Sequence, residues 1–193
     1  MQPMRRAYVG LWIGVWLAAM TAHAARVERR VNPQTGLESV AVQEDGFELR
    51  LTPVTREYAE AVFAGRGLPP AVAKAVRGYC GFGMTLRNAG GEPVRVRLTD
   101  WRFVTPQGEV RRVKSKSQWV REWRGQGLAF QWLLVHEDAT YQPGDWMQGF
   151  ITVPLPPQAR FDLHYVWTAG GRRHEGVVEG LRCAPETVAD GQP

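Results

Sequence analysis

A block of basic and tryptophan residues has the composition most suggestive of binding chemistry. Residues 95–124 contain nine basic and three acidic side chains, a net charge of +6. Positive charge beside indole rings suits an acidic protein, an anionic glycan or lipid head groups. The alternative is an ordinary solvated face whose tryptophans, four residues apart, pack onto the core. The predicted partner-binding residues are Arg111, Arg112, Lys114, Lys116, Trp119, Arg121, Trp123 and Arg124.

Three histidines are candidate metal ligands: His136, His164 and His174. None has the spacing of an HExxH or His-x-His zinc motif. His164 and His174 flank a predicted turn at 169–171, so we expect them to be cross-strand neighbours in a hairpin. Two imidazoles on one sheet face can bind copper or zinc. The alternative, which the sequence favours, is a pair of solvent-exposed histidines and no cofactor.

Catalytic motifs are weak. Ser39, Ser115 and Ser117 are the serines of the chain, and none lies in a GxSxG turn of the kind that presents a nucleophile. Acidic residues at 137–138, 145 and 175 offer carboxylates for a glycan-acting enzyme near Trp119 or Trp123. Such chemistry requires two carboxyl groups at a defined separation, which spacing in a sequence does not establish. The sequence therefore leans away from an enzyme.

The N-terminus has the pattern of a secretory signal peptide. Arg5 and Arg6 precede an uncharged apolar run at 7–22, and the segment 22–24 is Ala-His-Ala, which suits cleavage after Ala24. A transmembrane anchor is the alternative, but 16 uncharged residues fall short of the roughly 20 needed to span a bilayer. We expect export to the periplasm or beyond, by the general or the twin-arginine route, with no membrane span after cleavage.

Removal of residues 1–24 leaves 169 residues with 22 basic and 19 acidic side chains. A chain of that length supports one self-sufficient core. Both cysteines, Cys80 and Cys183, remain, and in an exported chain they most simply form one disulfide. A thiolate metal site or redox pair is the alternative, but the cysteines are far apart and there is no CxxC motif.

Most of the chain shows the two-residue alternation of β-strands. Phe47, Leu49 and Leu51 alternate with polar residues, as do Cys80, Phe82, Met84 and Leu86. The pattern changes to helical spacing at about 53–78, which predicts an inserted helical hairpin, and again near 117–124. The run 128–136 is the most apolar predicted strand. These features predict a mainly β, antiparallel sandwich of about seven to nine strands in one domain, 25–183, with a flexible tail at 184–193.

Turn and core motifs over about 80 residues resemble those of secreted bacterial immunoglobulin-like domains. These motifs are Arg87-Asn88-Ala89-Gly90, Trp101-x-Phe103 followed by Gly108, and Tyr141-x-Pro143-Gly144-Asp145 followed by Gly149 and Val153-Pro154. The whole chain also resembles uncharacterised exported proteins of proteobacteria, which have no assigned activity. The resemblance implies an immunoglobulin-like sandwich, and such domains serve in partner binding, adhesion or metal handling.

Together these observations favour a non-catalytic exported module that binds an envelope protein or an anionic surface. Nucleic acid is not expected, because export removes the usual partner. A periplasmic copper- or zinc-handling protein and a glycan-acting envelope enzyme remain as alternatives.

Overall fold

The computed structural model describes residues 25–130 and 133–188, so the predicted signal peptide at 1–24 lies outside the described residues. The described chain is mainly β, with antiparallel sheets and three short α-helices. Its strands are β1 (Arg26–Val31), β2 (Glu38–Glu44), β3 (Phe47–Val54), β4 (Cys80–Asn88), β5 (Val94–Arg97), β6 (Arg102–Val104), β7 (Val110–Arg111), β8 (Asp138–Tyr141), β9 (Trp146–Val153), β10 (Arg160–Ala169) and β11 (Arg172–Arg182).

The strands form two sheets. The first has the order β1-β2-β3-β4-β9. In the second, β10 pairs with β11 along one side and with β5 and β6 along the other, while β8 and β7 pair with β5 and β6. This gives 11 described strands where the sequence predicted seven to nine, because several of them are only two to four residues long.

Both sheets bury their facing side chains in one apolar cluster. Phe47 of the first sheet stacks on Trp167 of the second, with ring centroids 4.6 Å apart. The Trp101 indole N–H donates to the Val166 carbonyl at 2.9 Å, so this ring is buried with its polar atom paired. The alternation read from the sequence predicts these buried faces because successive strand residues point to opposite sides.

The predicted helical insertion is present as α1 (Arg56–Gly65) and α2 (Pro70–Ala73), which continues as a 3₁₀ turn at Lys74–Gly78. Thr55 caps α1, and its side chain accepts a hydrogen bond from the Tyr58 backbone N–H at 3.1 Å. Pro53, at the start of the predicted helical segment, stays in β3 opposite Phe82 of β4. The helix therefore begins only where sheet pairing ends.

Helix α3 (Lys116–Gly125) spans the region predicted as helical near 117–124. Its N-cap is Ser115. The Ser115 hydroxyl accepts from the Gln118 N–H at 3.2 Å, and the Gln118 side chain accepts from the Ser115 N–H at 2.8 Å. This reciprocal capping box satisfies two backbone donors that would otherwise lack partners.

The apolar run 128–136 is not a strand in its described part. It makes one isolated bridge, Leu134 to Phe150, and Leu133 has a backbone φ of +71°. Phe130 and Leu134 are instead buried among the helices, in a second apolar cluster. Apolar composition correctly indicated burial here, but the helices together with Phe150 of β9 surround Phe130 and Leu134, whereas Val135 joins the cluster between the sheets. Residues 131 and 132 lie outside the described part.

The predicted disulfide between Cys80 and Cys183 is confirmed. It joins the first residue of β4, in the first sheet, to the residue that follows β11, in the second, with Cα atoms 5.5 Å apart. The chain continues against α1, where Glu186 pairs with Arg77 and lies 3.5 Å from Arg56. Within the predicted tail at 184–193, Glu186 thus forms ion pairs with the helical insertion, and residues 189–193 lie outside the described residues. No helix within the described ranges is long and apolar enough to cross a membrane.

Replacing both Cys80 and Cys183 with Ala is expected to lower the free energy of unfolding by about 4–5 kcal/mol, because the bond closes a loop spanning 103 positions. Urea unfolding with and without reductant measures the difference. Reduced wild-type protein should approach the stability of the double variant. A loss below about 1 kcal/mol would contradict the prediction.

Asn88 is fully buried where the two sheets meet. Its side-chain amide donates to the Tyr141 carbonyl at 2.9 Å and to the Glu92 carbonyl at 2.8 Å, and its oxygen accepts from the Gly90 N–H at 3.0 Å. Asn88→Ala should lower the free energy of unfolding by about 2–3 kcal/mol, because it removes three hydrogen bonds, one of them to the buried Tyr141 carbonyl. Thr140→Ala, at an exposed position of β8, is the control and should cost less than about 1 kcal/mol.

Candidate functional site

An open cleft of about 660 Å³ lies beside α3 and the chain segment that begins with β7. Four of its lining residues are basic and one is acidic, a formal charge of +3. The basic residues are Arg111, Arg112, Lys114 and Arg121, and the acidic one is Glu122. The remaining lining residues are Tyr79, Val110, Val113, Gln118 and Pro154. The cleft therefore offers cationic groups together with a small apolar surface.

Buried tryptophans hold α3 in place beneath this cleft. Trp119 and Trp123 are each 1% exposed and stack with centroids 5.3 Å apart. The Trp119 indole N–H donates to the Thr152 hydroxyl of β9 at 2.8 Å. Because residues four apart share one face of a helix, both rings point inward and leave Gln118, Arg121 and Glu122 on the cleft side. Trp119 and Trp123, predicted as partner contacts, are therefore buried on the inner face of α3. Their packing onto the core is the alternative that the sequence also offered.

Lys114 is the most enclosed cation of the cleft, with a side chain 12% exposed. Its ammonium nitrogen lies 3.6 Å from the centroid of a Trp119 ring and 4.9 Å from that of Tyr79. The same nitrogen donates to the Tyr79 hydroxyl at 3.1 Å and to the Glu122 carboxylate at 2.6 Å. Aromatic faces and a carboxylate together compensate for the water that this charge loses on burial.

The arginines of the cleft are more available. Arg111 pairs with Glu109 at 2.8 Å, and Arg112 donates to the Thr99 carbonyl. Arg121 is exposed on α3 and lines the cleft. Guanidinium groups remain charged at all relevant pH values and bind carboxylates or phosphates through two parallel N–H donors.

The other two predicted basic residues lie outside the cleft lining. The Lys116 ammonium is 3.4 Å from the His136 ring nitrogen Nε2, and Arg124 is exposed at the end of α3. Sequence reasoning missed Tyr79, Glu122 and Thr152 as parts of the site. Tyr79 and Thr152 come from distant segments, and only the fold brings them to Lys114. Glu122 could have been predicted from the sequence, because it lies between Arg121 and Trp123 on the predicted helix.

The expectation that His164 and His174 are cross-strand neighbours is wrong. In the hairpin of β10 and β11, His174 lies opposite Trp167 and His164 opposite Val177. Pairing of His164 with His174 requires a turn centred on residue 169, but Ala169 pairs with Arg172 and the turn is Gly170-Gly171, so the register shifts by three positions. An odd shift places the two imidazoles on opposite faces of the sheet.

His174 instead stacks on the Trp167 ring, 5.0 Å between centroids, and its Nδ1 is 3.8 Å from the Asp45 carboxylate. Nearby, burial raises the pKa of the Glu44 carboxyl, which accepts from the Tyr165 hydroxyl at 3.2 Å.

Across 25–130 and 133–188, no group of three or more His, Cys, Asp or Glu residues is placed to hold a metal ion.

The four carboxylates considered for glycan chemistry lie outside the cleft lining, and each has a partner of its own; Glu175 lies 3.8 Å from the Arg173 guanidinium. Glu137 accepts from the Ser117 N–H at 3.0 Å, Asp138 pairs with Arg95 at 2.7 Å, and Asp145 accepts from the Gln142 N–H at 2.7 Å. Glu122 is the one acid among the described lining residues, and it contacts Lys114. The cleft thus presents cations rather than a pair of acids.

Comparison with known proteins adds little. No family model matches the chain, and no curated protein matches it significantly. Among solved structures, the chain is similar to SoR45, described as a target of the Northeast Structural Genomics Consortium. The two share 13% identity with a TM-score of 0.36, covering 88% of this chain and 92% of the other. A likeness of that size establishes neither a shared fold nor a function.

Thr152→Val is expected to destabilise the support beneath the cleft. The substitution keeps the side-chain shape but removes the acceptor of the Trp119 indole N–H, which stays buried without a partner. The free energy of unfolding should fall by about 1–3 kcal/mol. Thr140→Val, at an exposed strand position, is the matched control. Equal stability of the two variants in urea unfolding would show that this hydrogen bond does not hold α3.

Proposed function

We propose that this protein is an exported, non-catalytic immunoglobulin-like module that binds an anionic component of the periplasm or cell envelope. The observation that carries the proposal is the cleft beside α3, in which four basic side chains face one acidic side chain. Such an excess of positive charge attracts a negatively charged partner and accelerates its association.

The chemistry of the lining supports binding rather than catalysis. Arginine does not exchange protons near neutral pH, so Arg111, Arg112 and Arg121 are suited to holding anions. The Lys114 ammonium is already contacted by Glu122 and by two aromatic residues. These groups are well placed to recognise a carboxylate or phosphate, and they do not form the nucleophile-and-base pair that covalent catalysis requires.

Export and the immunoglobulin-like sandwich belong to the same proposal. A disulfide that joins two sheets is compatible with an oxidising compartment outside the cytoplasm. Two antiparallel sheets around a shared core are the layers from which such a sandwich is built. In this proposal the signal-like N-terminus directs export of the chain. An exported protein meets components of the cell envelope, so we expect its partner to be one of them.

The double variant Arg112→Glu/Arg121→Glu is expected to lose envelope binding, because two cations of the cleft become anions. The matched control is Arg172→Glu/Arg173→Glu, which makes the same charge change on β11, at the opposite edge of the second sheet from β7. Binding of immobilised protein to a labelled periplasmic and membrane extract is measured at increasing salt. The cleft variant should retain less than about one tenth of the wild-type signal.

The control should retain most of that signal, and wild-type binding should weaken steadily as salt rises. Equal losses in the two double variants would mean that net charge, not the cleft, drives the association. Absence of any saturable binding by the wild-type protein would contradict the proposed function itself.

A further inference from the structure

The two side chains of the ion pair between Lys114 and Glu122 differ in their exposure to solvent. The Lys114 side chain is 12% exposed, whereas the Glu122 side chain is 52% exposed. The enclosed cation therefore receives its counter-charge from a side chain that lies largely in solvent. An enclosed charge needs an anion, but nothing in this arrangement requires that the anion come from the same chain.

We infer that the cleft takes an acidic, extended peptide segment of a partner protein, and that a carboxylate of this peptide replaces Glu122 on Lys114. The inference rests on the proposed function, because it names the ligand of the same cleft. Glu122 then acts as an internal stand-in for the ligand and competes with it.

The contacts around Lys114 explain why replacement is needed. An ammonium group has three N–H donors. Tyr79 takes one through its hydroxyl at 3.1 Å, and the Trp119 ring covers another side at 3.6 Å. Glu122 holds the remaining approach, from the solvent side, at 2.6 Å. An incoming carboxylate reaches the ammonium only when the Glu122 carboxylate moves into water, which costs little for a half-exposed side chain.

The strand at the cleft explains why the ligand is a peptide. β7 ends the second sheet, and within the described residues it pairs with β6 alone, so one side of its backbone has no strand neighbour. Extended peptides bind such edges by main-chain hydrogen bonds. Val110, 50% exposed, and the neighbouring Arg111 both line the cleft. Apolar and cationic groups side by side match a segment that mixes aliphatic and acidic residues.

A small anion or a lipid head group would use the cations but leave this backbone edge and Val110 uncovered. Side chains of an extended peptide alternate, so acidic residues at every second position all face one side. A segment of alternating glutamate and valine can therefore present carboxylates to Lys114 and Arg121 and still pair its backbone with β7. This complementarity favours the peptide over the other anions.

A fluorescein-labelled peptide of alternating glutamate and valine is the probe, and its dissociation constant is measured by fluorescence anisotropy with the full domain. Glu122→Gln should bind it about fivefold more tightly than wild type, because the competing carboxylate is gone. Glu175→Gln, on β11 at the far edge of the sheet, makes the same net charge change and should alter affinity less than about twofold.

A double-mutant cycle separates replacement from general electrostatics. If Glu122 competes for Lys114, the gain from Glu122→Gln should disappear in the Lys114→Gln background. Persistence of the gain there would overturn the inference. Equal affinities of Glu122→Gln and Glu175→Gln would overturn it too, and this comparison needs no substitution at the enclosed lysine should Lys114→Gln fail to fold.

Failure of the inference is distinguishable from failure of the proposed function. Suppose the Arg112→Glu/Arg121→Glu variant loses envelope binding while Glu122→Gln leaves peptide affinity unchanged. The cleft then binds an anion, but not by replacement of Glu122. Binding to phosphatidylglycerol vesicles without binding to the peptide would likewise overturn the peptide assignment and point to a lipid head group.

Discussion

The hydrogen bond from the Trp119 indole to the Thr152 hydroxyl, 2.8 Å long and buried, fixes α3 against β9. The backbone of Thr152 also accepts from the Lys114 N–H at 2.8 Å, so one residue of β9 holds both the helix and the segment leading to it. This contact helps to place Arg121, the cation that α3 contributes to the cleft lining. A short helix, weakly stable by itself, becomes a defined scaffold because its tryptophans are packed and paired.

The same helix serves the core and the surface. Its inner face buries Trp119 and Trp123 among the aromatic rings of the second cluster, and its outer face carries Arg121 and Glu122. The aromatic face of Trp119 also stabilises the enclosed ammonium of Lys114. Stability and binding are therefore coupled, since loss of packing beneath α3 removes the groups that compensate the charge above it. The sheets and the disulfide supply the rigid frame on which this arrangement is built.

The ion pair between the enclosed Lys114 and the more exposed Glu122 defines the state of the cleft without a ligand. In that state Glu122 neutralises Lys114, while Arg112 and Arg121 remain available at the rim. In the proposed binding, the exposed arginines supply long-range attraction, and selectivity depends on which ligands displace Glu122 and cover Val110. Exposed charges are screened by salt, whereas the enclosed contact is screened much less. The proposal therefore assigns association and recognition to different residues of one site.

Local patterns were enough to predict the buried strand faces, the two helical regions, and the basic and tryptophan residues that form and support the cleft. The disulfide could also be predicted, because the chain has two cysteines and a signal-like N-terminus that indicates export. Those features depend on residues close in sequence or on simple counting. Tertiary structure alone decided that Phe130 and Leu134 pack with the helices, that a Gly170-Gly171 turn places His164 and His174 on opposite faces, and that Tyr79 and Glu122 meet at Lys114. Periodicity reports that a side chain is buried or exposed, but which distant segment provides its partner is determined only when the sheets and helices pack together.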